Sequence, residues 1–156
     1  MFERIFILNK LNDYDSWYNI INTINQKSIN IKYYSRHPLI SEKNETILKQ
    51  YNNHQRKYNK ISTLKEYIFI KSLGDIIKLA EKNNNKSILV LLDTVHFHQN
   101  ANKLIGTIKQ RIVNNWDLLY LGATQTQLKP VTNNILYKAN PYTKGNFALA
   151  IKSNLF

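Results

Sequence analysis

Cysteine is absent from the 156 residues, which excludes disulfides and thiolate metal centres and leaves stability to packing. No apolar run approaches membrane-spanning length. The start, Met1-Phe2-Glu3-Arg4, passes straight into a short apolar segment without the charged, apolar and small-residue regions of a secretory signal. These absences lead us to expect a cytoplasmic protein with no transmembrane segment. Internal repeats are missing, and nothing is of low complexity beyond scattered asparagine. Acids are scarce: ten Asp and Glu stand against 22 Lys and Arg, a formal net charge of +12.

A balance this basic admits polyanions, nucleotide phosphates and anionic surfaces as partners without choosing among them. Eighteen of the cations are lysine, and the chain is rich in Asn, Ile and Tyr, residues with A/T-rich codons. Part of the charge is therefore compositional. With 43% hydrophobic and 12% aromatic residues, the length suits one domain, residues 1–156, with a real core.

The apolar pattern alternates between strand and helix. Arg4 to Leu8 (RIFIL) reads as a buried strand ended by Asn9. Trp17, Ile20, Ile21 and Ile24 then recur at helical spacing, with Asp15 or Ser16 as the N-cap. Ile29 to Tyr34 reads as a second strand, broken by Ser35-Arg36-His37-Pro38. Residues 41–60 are polar, basic and weakly periodic, a short helix with a mobile connection.

Thr63-Leu64-Lys65-Glu66 fits a capping box ahead of a helix whose core stripe is Leu73, Ile76, Ile77 and Ala80. Asn83 to Asn85 stop it. Ser87 to Leu92 is the most apolar strand, and its lack of alternation predicts burial on both faces. Leu104, Ile105, Ile108 and Ile112 mark a further helix. Trp116 to Leu121 (WDLLYL) reads as another buried strand, ended by Gly122. This order predicts an α/β sandwich with a mostly parallel central sheet, with ligands beyond the carboxyl ends of its strands. Asn9, Arg36 and Asp93 all follow the expected strand ends.

Several segments, in order, resemble a nucleotide-sugar glycosyltransferase of the GT-A type, closest to glycosyltransferase family 25, the lipopolysaccharide-biosynthesis and collagen-type galactosyltransferases. "RIFILN" is similar to that family's opening strand and "IKYYSRHPLI" to its second. "TLKEYIFIKSLGDIIKLAEKNNNKSILVLLDTVHF" resembles its central helix and acidic strand, and "NNWDLLYLGA" its Trp-Asp-Leu-x-Tyr-Leu-Gly strand. The likeness covers roughly residues 3–123, with a looser match at "KGNFALAIKSNLF".

The resemblance implies a Rossmann-like α/β/α sandwich of GT-A type and transfer of sugar from a nucleotide diphosphate donor to a hydroxyl on a glycan or protein acceptor. It also implies that the catalytic domain continues beyond the position of Phe156, so that this chain is truncated relative to the family. In such enzymes an acidic triplet holds a divalent cation, Mn2+ or Mg2+, that stabilises the departing diphosphate. Here the triplet falls on Leu92-Asp93-Thr94, with one carboxylate, a neutral hydroxyl and no ligand at Leu92. The family's Gly-Cys pair falls on Ile68-Phe69 and its Ser-His pair on Ser72-Leu73. These departures together imply weakened or lost transfer on a retained scaffold. That leaves a second implication: a non-catalytic binding or partner module, working beside an active enzyme or a glycan.

Each candidate residue carries two readings. Asp93, and Thr94 beside it, stand for metal and donor binding or for a strand-terminal turn cap. Asn9, Arg36 and the Thr124 region stand for donor contacts or, for Arg36, an ordinary surface cation. His96 and His98, two apart, are a ligand pair lacking a third partner or a solvated pair. Lys49, Arg56, Lys57 and Lys60, interleaved with Tyr51, His54 and Tyr58, mimic a nucleic-acid platform or form a solvated basic stretch, and we favour the second. Trp17 and Trp116 fit the core, or stack on sugar where exposed.

Overall fold

A computed structural model describes residues 2–27, 33–58, 63–112, 116–125, 129–132, 136–140 and 143–156. Its elements follow the order β1 (Arg4–Lys10), α1 (Tyr14–Gln26), β2 (Tyr34–Leu39), α2 (Glu45–Tyr58), α3 (Leu64–Lys82), β3 (Ser87–Leu92), α4 (Ala101–Arg111), β4 (Leu118–Thr124), β5 (Pro130–Thr132), β6 (Leu136–Tyr137) and β7 (Lys144–Lys152). The protein is α/β. Five strands form one sheet in the order β2-β1-β3-β7-β4, and β5 with β6 form a separate pair.

β1 pairs in parallel with β2 and β3, whereas β7 is antiparallel to both β3 and β4. The sheet is therefore mixed, only partly parallel. The expected alternation of strand and helix overlooked β7, which returns without a helix and inserts between β3 and β4. An antiparallel return needs no covering crossover, so the alternating pattern carries no sign of it.

Helices cover both faces. Successive residues of a strand point to opposite sides, and here Ile5 and Ile7 of β1 and Leu89 and Leu91 of β3 meet Ile20 and Ile24 of α1. The intervening Phe6, Leu8, Ile88 and Val90 meet Ile76 and Ala80 of α3. Burial on two faces explains why β1 and β3 read as unbroken apolar runs. α2 stands outside α3, joined through Ile47, Tyr67 and Ile68.

Local chemistry accounts for the element ends. The Thr63 hydroxyl accepts from Glu66 N and the Glu66 carboxylate from Thr63 N, each at 3.2 Å, closing the expected capping box. α3 ends where Asn84 takes a left-handed φ of 53°, with Asn85 N donating to Ala80 O at 3.0 Å.

Other boundaries differ from the sequence reading. The N-cap of α1 is Asp13, not Asp15 or Ser16: its carboxylate accepts from Ser16 N at 3.0 Å, satisfying an orphan helix donor. β2 begins at Tyr34, so Ser35-Arg36-His37-Pro38 lies within a strand. Pro38 is tolerated there because, among the described residues, β2 is an edge strand with a neighbour on one side only. Of the expected second strand, residues 29–32 lie outside the described residues. Residues 41–60, expected to form a short helix and a mobile connection, contain the 14-residue α2, and residues 59–60 lie outside the described ones. β4 is a half-exposed edge strand running on through Gly122 to Thr124, with irregular pairing at the glycine.

Candidate functional site

The strand order places a topological switch at β1. From β1 the chain crosses through α1 to β2 on one side, then through α2 and α3 to β3 on the other. Ligands of open α/β sheets gather beyond the carboxyl ends of the strands at such a point. Asn9 is the penultimate residue of β1 and Asp93 directly follows β3, where its N–H donates to Leu8 O at 3.0 Å. Arg36 pairs with Ile7 in the register of β1 and β2. Strand periodicity turns all three side chains toward α1.

They form one network. Asn9 is wholly buried. Its Nδ2 donates to Asp93 Oδ2 at 2.6 Å and to Asp13 O at 3.0 Å. Its Oδ1 accepts from Arg36 Nε at 2.8 Å and from the same guanidinium's Nη2. An amide offers two donor and two acceptor positions, and all four are taken. Its orientation is dictated: a guanidinium only donates and a carboxylate only accepts, so a flipped amide would face like with like.

Arg36 is also bound to the turn between β1 and α1. Its Nη2 donates to Lys10 O at 3.1 Å and Leu11 O at 2.9 Å. The guanidinium carbon lies 4.9 Å from the ring centre of Tyr14 and 5.4 Å from that of Trp17. Planar, multiply bonded seating of this kind is specific to arginine. Trp17 in turn meets Tyr34 at 6.2 Å. The cation thus joins β1, β2 and α1.

Asp13 belongs to the same corner, and its carboxyl is held below the ordinary range by hydrogen bonds from the backbone and side chain of Ser16, with a smaller attraction from the positive charges of Lys10 and Arg36. It is the residue that sequence reasoning missed. The signal was present in Asp13-x-x-Ser16, where an acid precedes the first apolar-periodic residue by a helical turn.

The remaining candidates separate from this cluster. Thr94 is exposed, and Leu92 packs against the α3-side core. Thr124 ends β4, two strands beyond β3. His96 and His98 are exposed while Val95 and Phe97 between and beside them pack on the core, and His98 Nδ1 accepts from Asn100 N at 3.1 Å. Among the described residues no three His, Asp or Glu gather as a metal group. A hard cation at Asp93 would take one carboxylate from the protein and complete its shell with water and ligand oxygens.

The basic stretch is also rearranged. Tyr51 and His54 turn inward onto Tyr67, each with ring centres 5.7 Å apart, so these rings are used in packing α2 on α3. Lys49, Arg56 and Lys57 are exposed; Lys60 lies outside the described residues, and so does the side chain of Tyr58. Trp17 and Trp116 are half-buried against the α1-side core. A hollow of about 260 Å³ lies at the other end of the sheet, lined by Glu81, Asn84, Asn85, Lys86, Ser153 and Phe156, remote from the cluster. No helix among the described residues is long and apolar enough to cross a membrane. No family model matches this chain, and no curated protein matches it by sequence.

Proposed function

We propose that this chain is a Rossmann-like, GT-A-type domain that takes a nucleotide diphosphate sugar at the carboxyl ends of β1, β2 and β3, with Asp93 as the protein's ligand to Mn2+ or Mg2+. The supporting observation is the hydrogen bond from Asn9 to Asp93 across the switch point, which holds a carboxylate in a fixed direction where α/β sheets bind ligands. Asp93 Oδ2 carries that bond. In this reading Oδ1 faces the cation, Thr94 contributes a hydroxyl beside it, and Asn9 and Arg36 shape the wall behind the donor phosphates. A cation there would neutralise charge on the leaving diphosphate.

A second reading, a module that binds without transferring, is favoured by two observations. The cluster offers one carboxylate, and the Arg36 donors at Nε and Nη2 are already spent on Asn9, Lys10 and Leu11. A nucleic-acid role has less support, because the rings that would stack on bases are packed between α2 and α3.

Calorimetry of the full chain with uridine and guanosine diphosphate sugars, with and without manganese, separates these. Metal-dependent binding abolished by Asp93→Asn supports the donor site, and turnover with a hydroxyl acceptor would add transfer. Metal-independent binding that survives Asp93→Asn points to the module. Absence of heat with every donor removes both nucleotide-sugar readings.

A further inference from the structure

At the end of the sheet opposite the strand-end cluster, three stretches of backbone are tied together around a hollow. α3 stops with Asn84 in the left-handed region, and Asn85 N donates to Ala80 O at 3.0 Å. Lys86, which leads into β3, donates from its N to the Glu3 carboxylate at 2.6 Å and accepts at its O from Ser153 N at 3.0 Å. Phe156 N closes the short turn after β7 on Ser153 O at 3.2 Å, and its side chain packs on the α3-side core. These bonds fix the walls of the hollow of about 260 Å³, so little ordering is left for a ligand to impose. Part of the lining has no partner within the protein. Asn85 lines the hollow, and its Oδ1 is shielded from water with no hydrogen-bond partner among the described residues. Buried acceptors are nearly always paired, so this one calls for a donor. Glu81 and Lys86, opposite in charge and exposed, also line it, and neither makes an ion pair among the described residues.

We infer that this hollow binds a free α-amino acid, at a site distinct from the strand-end cluster and independent of the function proposed for it. The ligand ammonium donates to Asn85 Oδ1 and pairs with Glu81, beside the carboxyl end of the 19-residue α3, whose dipole favours a cation. The ligand carboxylate pairs with Lys86 and accepts from the Ser153 hydroxyl. The terminal torsion of an asparagine is soft, so a small rotation of Asn85 brings its oxygen to the opening. Other ligand classes leave a mismatch. A divalent cation would find one carboxylate and an opposing ammonium, and a phosphate would face Glu81 and the negative end of α3. A nucleotide sugar is too large, since the volume lies below the range that holds even drug-sized ligands. A small zwitterion answers the two charges and the orphan acceptor together.

The test is an NMR titration of the full chain, isotopically labelled, with glycine, L-serine, L-glutamine and L-lysine in turn. Methylammonium and acetate, each half of the zwitterion, serve as controls. The expected result is a set of shift changes at Asn84, Asn85, Lys86, Ser153 and Phe156 with at least one amino acid, and binding of either half weaker by about tenfold or more. Glu81→Gln and Lys86→Gln should each weaken the amino acid about tenfold, and Asn85→Leu should remove its binding. Should Asn85→Leu unfold, the two exposed variants decide the question. The inference is overturned if none of the four amino acids moves these resonances, if methylammonium or acetate alone binds as tightly, or if affinity is unchanged in both Glu81→Gln and Lys86→Gln. Shifts centred on Asn9 and Asp93 instead would assign the ligand to the strand-end cluster and also overturn it.

Discussion

α1 and α2 are both polar, asparagine- and tyrosine-containing helices, yet they are attached to the protein by different chemistry. α1 rests on the sheet through Ile20 and Ile24, and its start is fastened by a polar network in which Asn9 takes the Asp13 carbonyl and Arg36 lies against Tyr14 and Trp17. α2 packs on α3, where Ile47, Tyr51 and His54 gather on Tyr67 and Ile68. The rings of α1 at Tyr14 and Tyr18 face outward, whereas Tyr51 and His54 of α2 turn in. Residue type is a poor guide to role here. The neighbour that each face meets decides whether a tyrosine is a surface or a strut.

Four experiments would break or sharpen this contrast. Tyr67→Ala should have the largest effect, costing about 3–4 kcal/mol through loss of the buried ring on which α2 rests; urea unfolding measures it, and hydrogen exchange should show α2 opening before the sheet. Asn9→Leu keeps the branched four-atom skeleton but leaves Arg36 and Asp93 without their shared partner, costing about 3 kcal/mol. Its exchange signature should be the reverse, with the start of α1 released and α2 unchanged. Equal loosening of both helices in either variant would erase the distinction between the two attachments. Arg36→Lys keeps the charge but loses the planar fork, and about 1–2 kcal/mol is expected.

The smallest effect is that of pH. Asp13 is lowered in the folded protein by its hydrogen bonds to Ser16, so its contribution is complete above the ordinary carboxylate value of 3.8 and is lost as pH falls through the lower folded value. His37 of β2 is also lowered, by burial against a weaker opposing pull from Asp75. The neutral imidazole is favoured by folding, so stability is full above 6.5 and declines as pH drops toward the folded value. Thermal melts from pH 8 to pH 3 should therefore show a first decline below about 6.5 that His37→Gln removes. A later acid decline should shrink in Asp13→Ala. If the first decline persists in His37→Gln, another group is responsible.

Several elements were legible from the chain because their determinants are local. The box at Thr63 and Glu66 needs only four residues, and the unbroken run Ser87 to Leu92 announced an interior strand, which β1 and β7 flank. Asn9, Arg36 and Asp93 each fall near an expected strand end in the sequence. That they would meet depended on register: pairing Ile7 with Arg36 puts the guanidinium level with the wall that Asn9 and Asp93 share. Pro38 reads from the sequence as a break, which displaces the expected second strand toward residues 29–34, whereas in the structure it is an edge-strand residue of β2. α2 was underestimated because its apolar face is short, with Ile47 and Tyr51 meeting one helix instead of a sheet.

What the amino-acid order determined by itself is the set of elements whose information is periodic or capped: two-face-buried strands, the helices with apolar stripes, the basic charge and the absence of thiol chemistry. Only the tertiary structure decided that β7 would run backwards between β3 and β4, that Asn9 would spend all four of its hydrogen-bonding positions, and which rings would be left in solvent. The physical reason is range. Hydrophobic period and caps act within a few residues, whereas a buried amide bonded to partners 27 and 84 positions away is satisfied only once distant strands have chosen their neighbours.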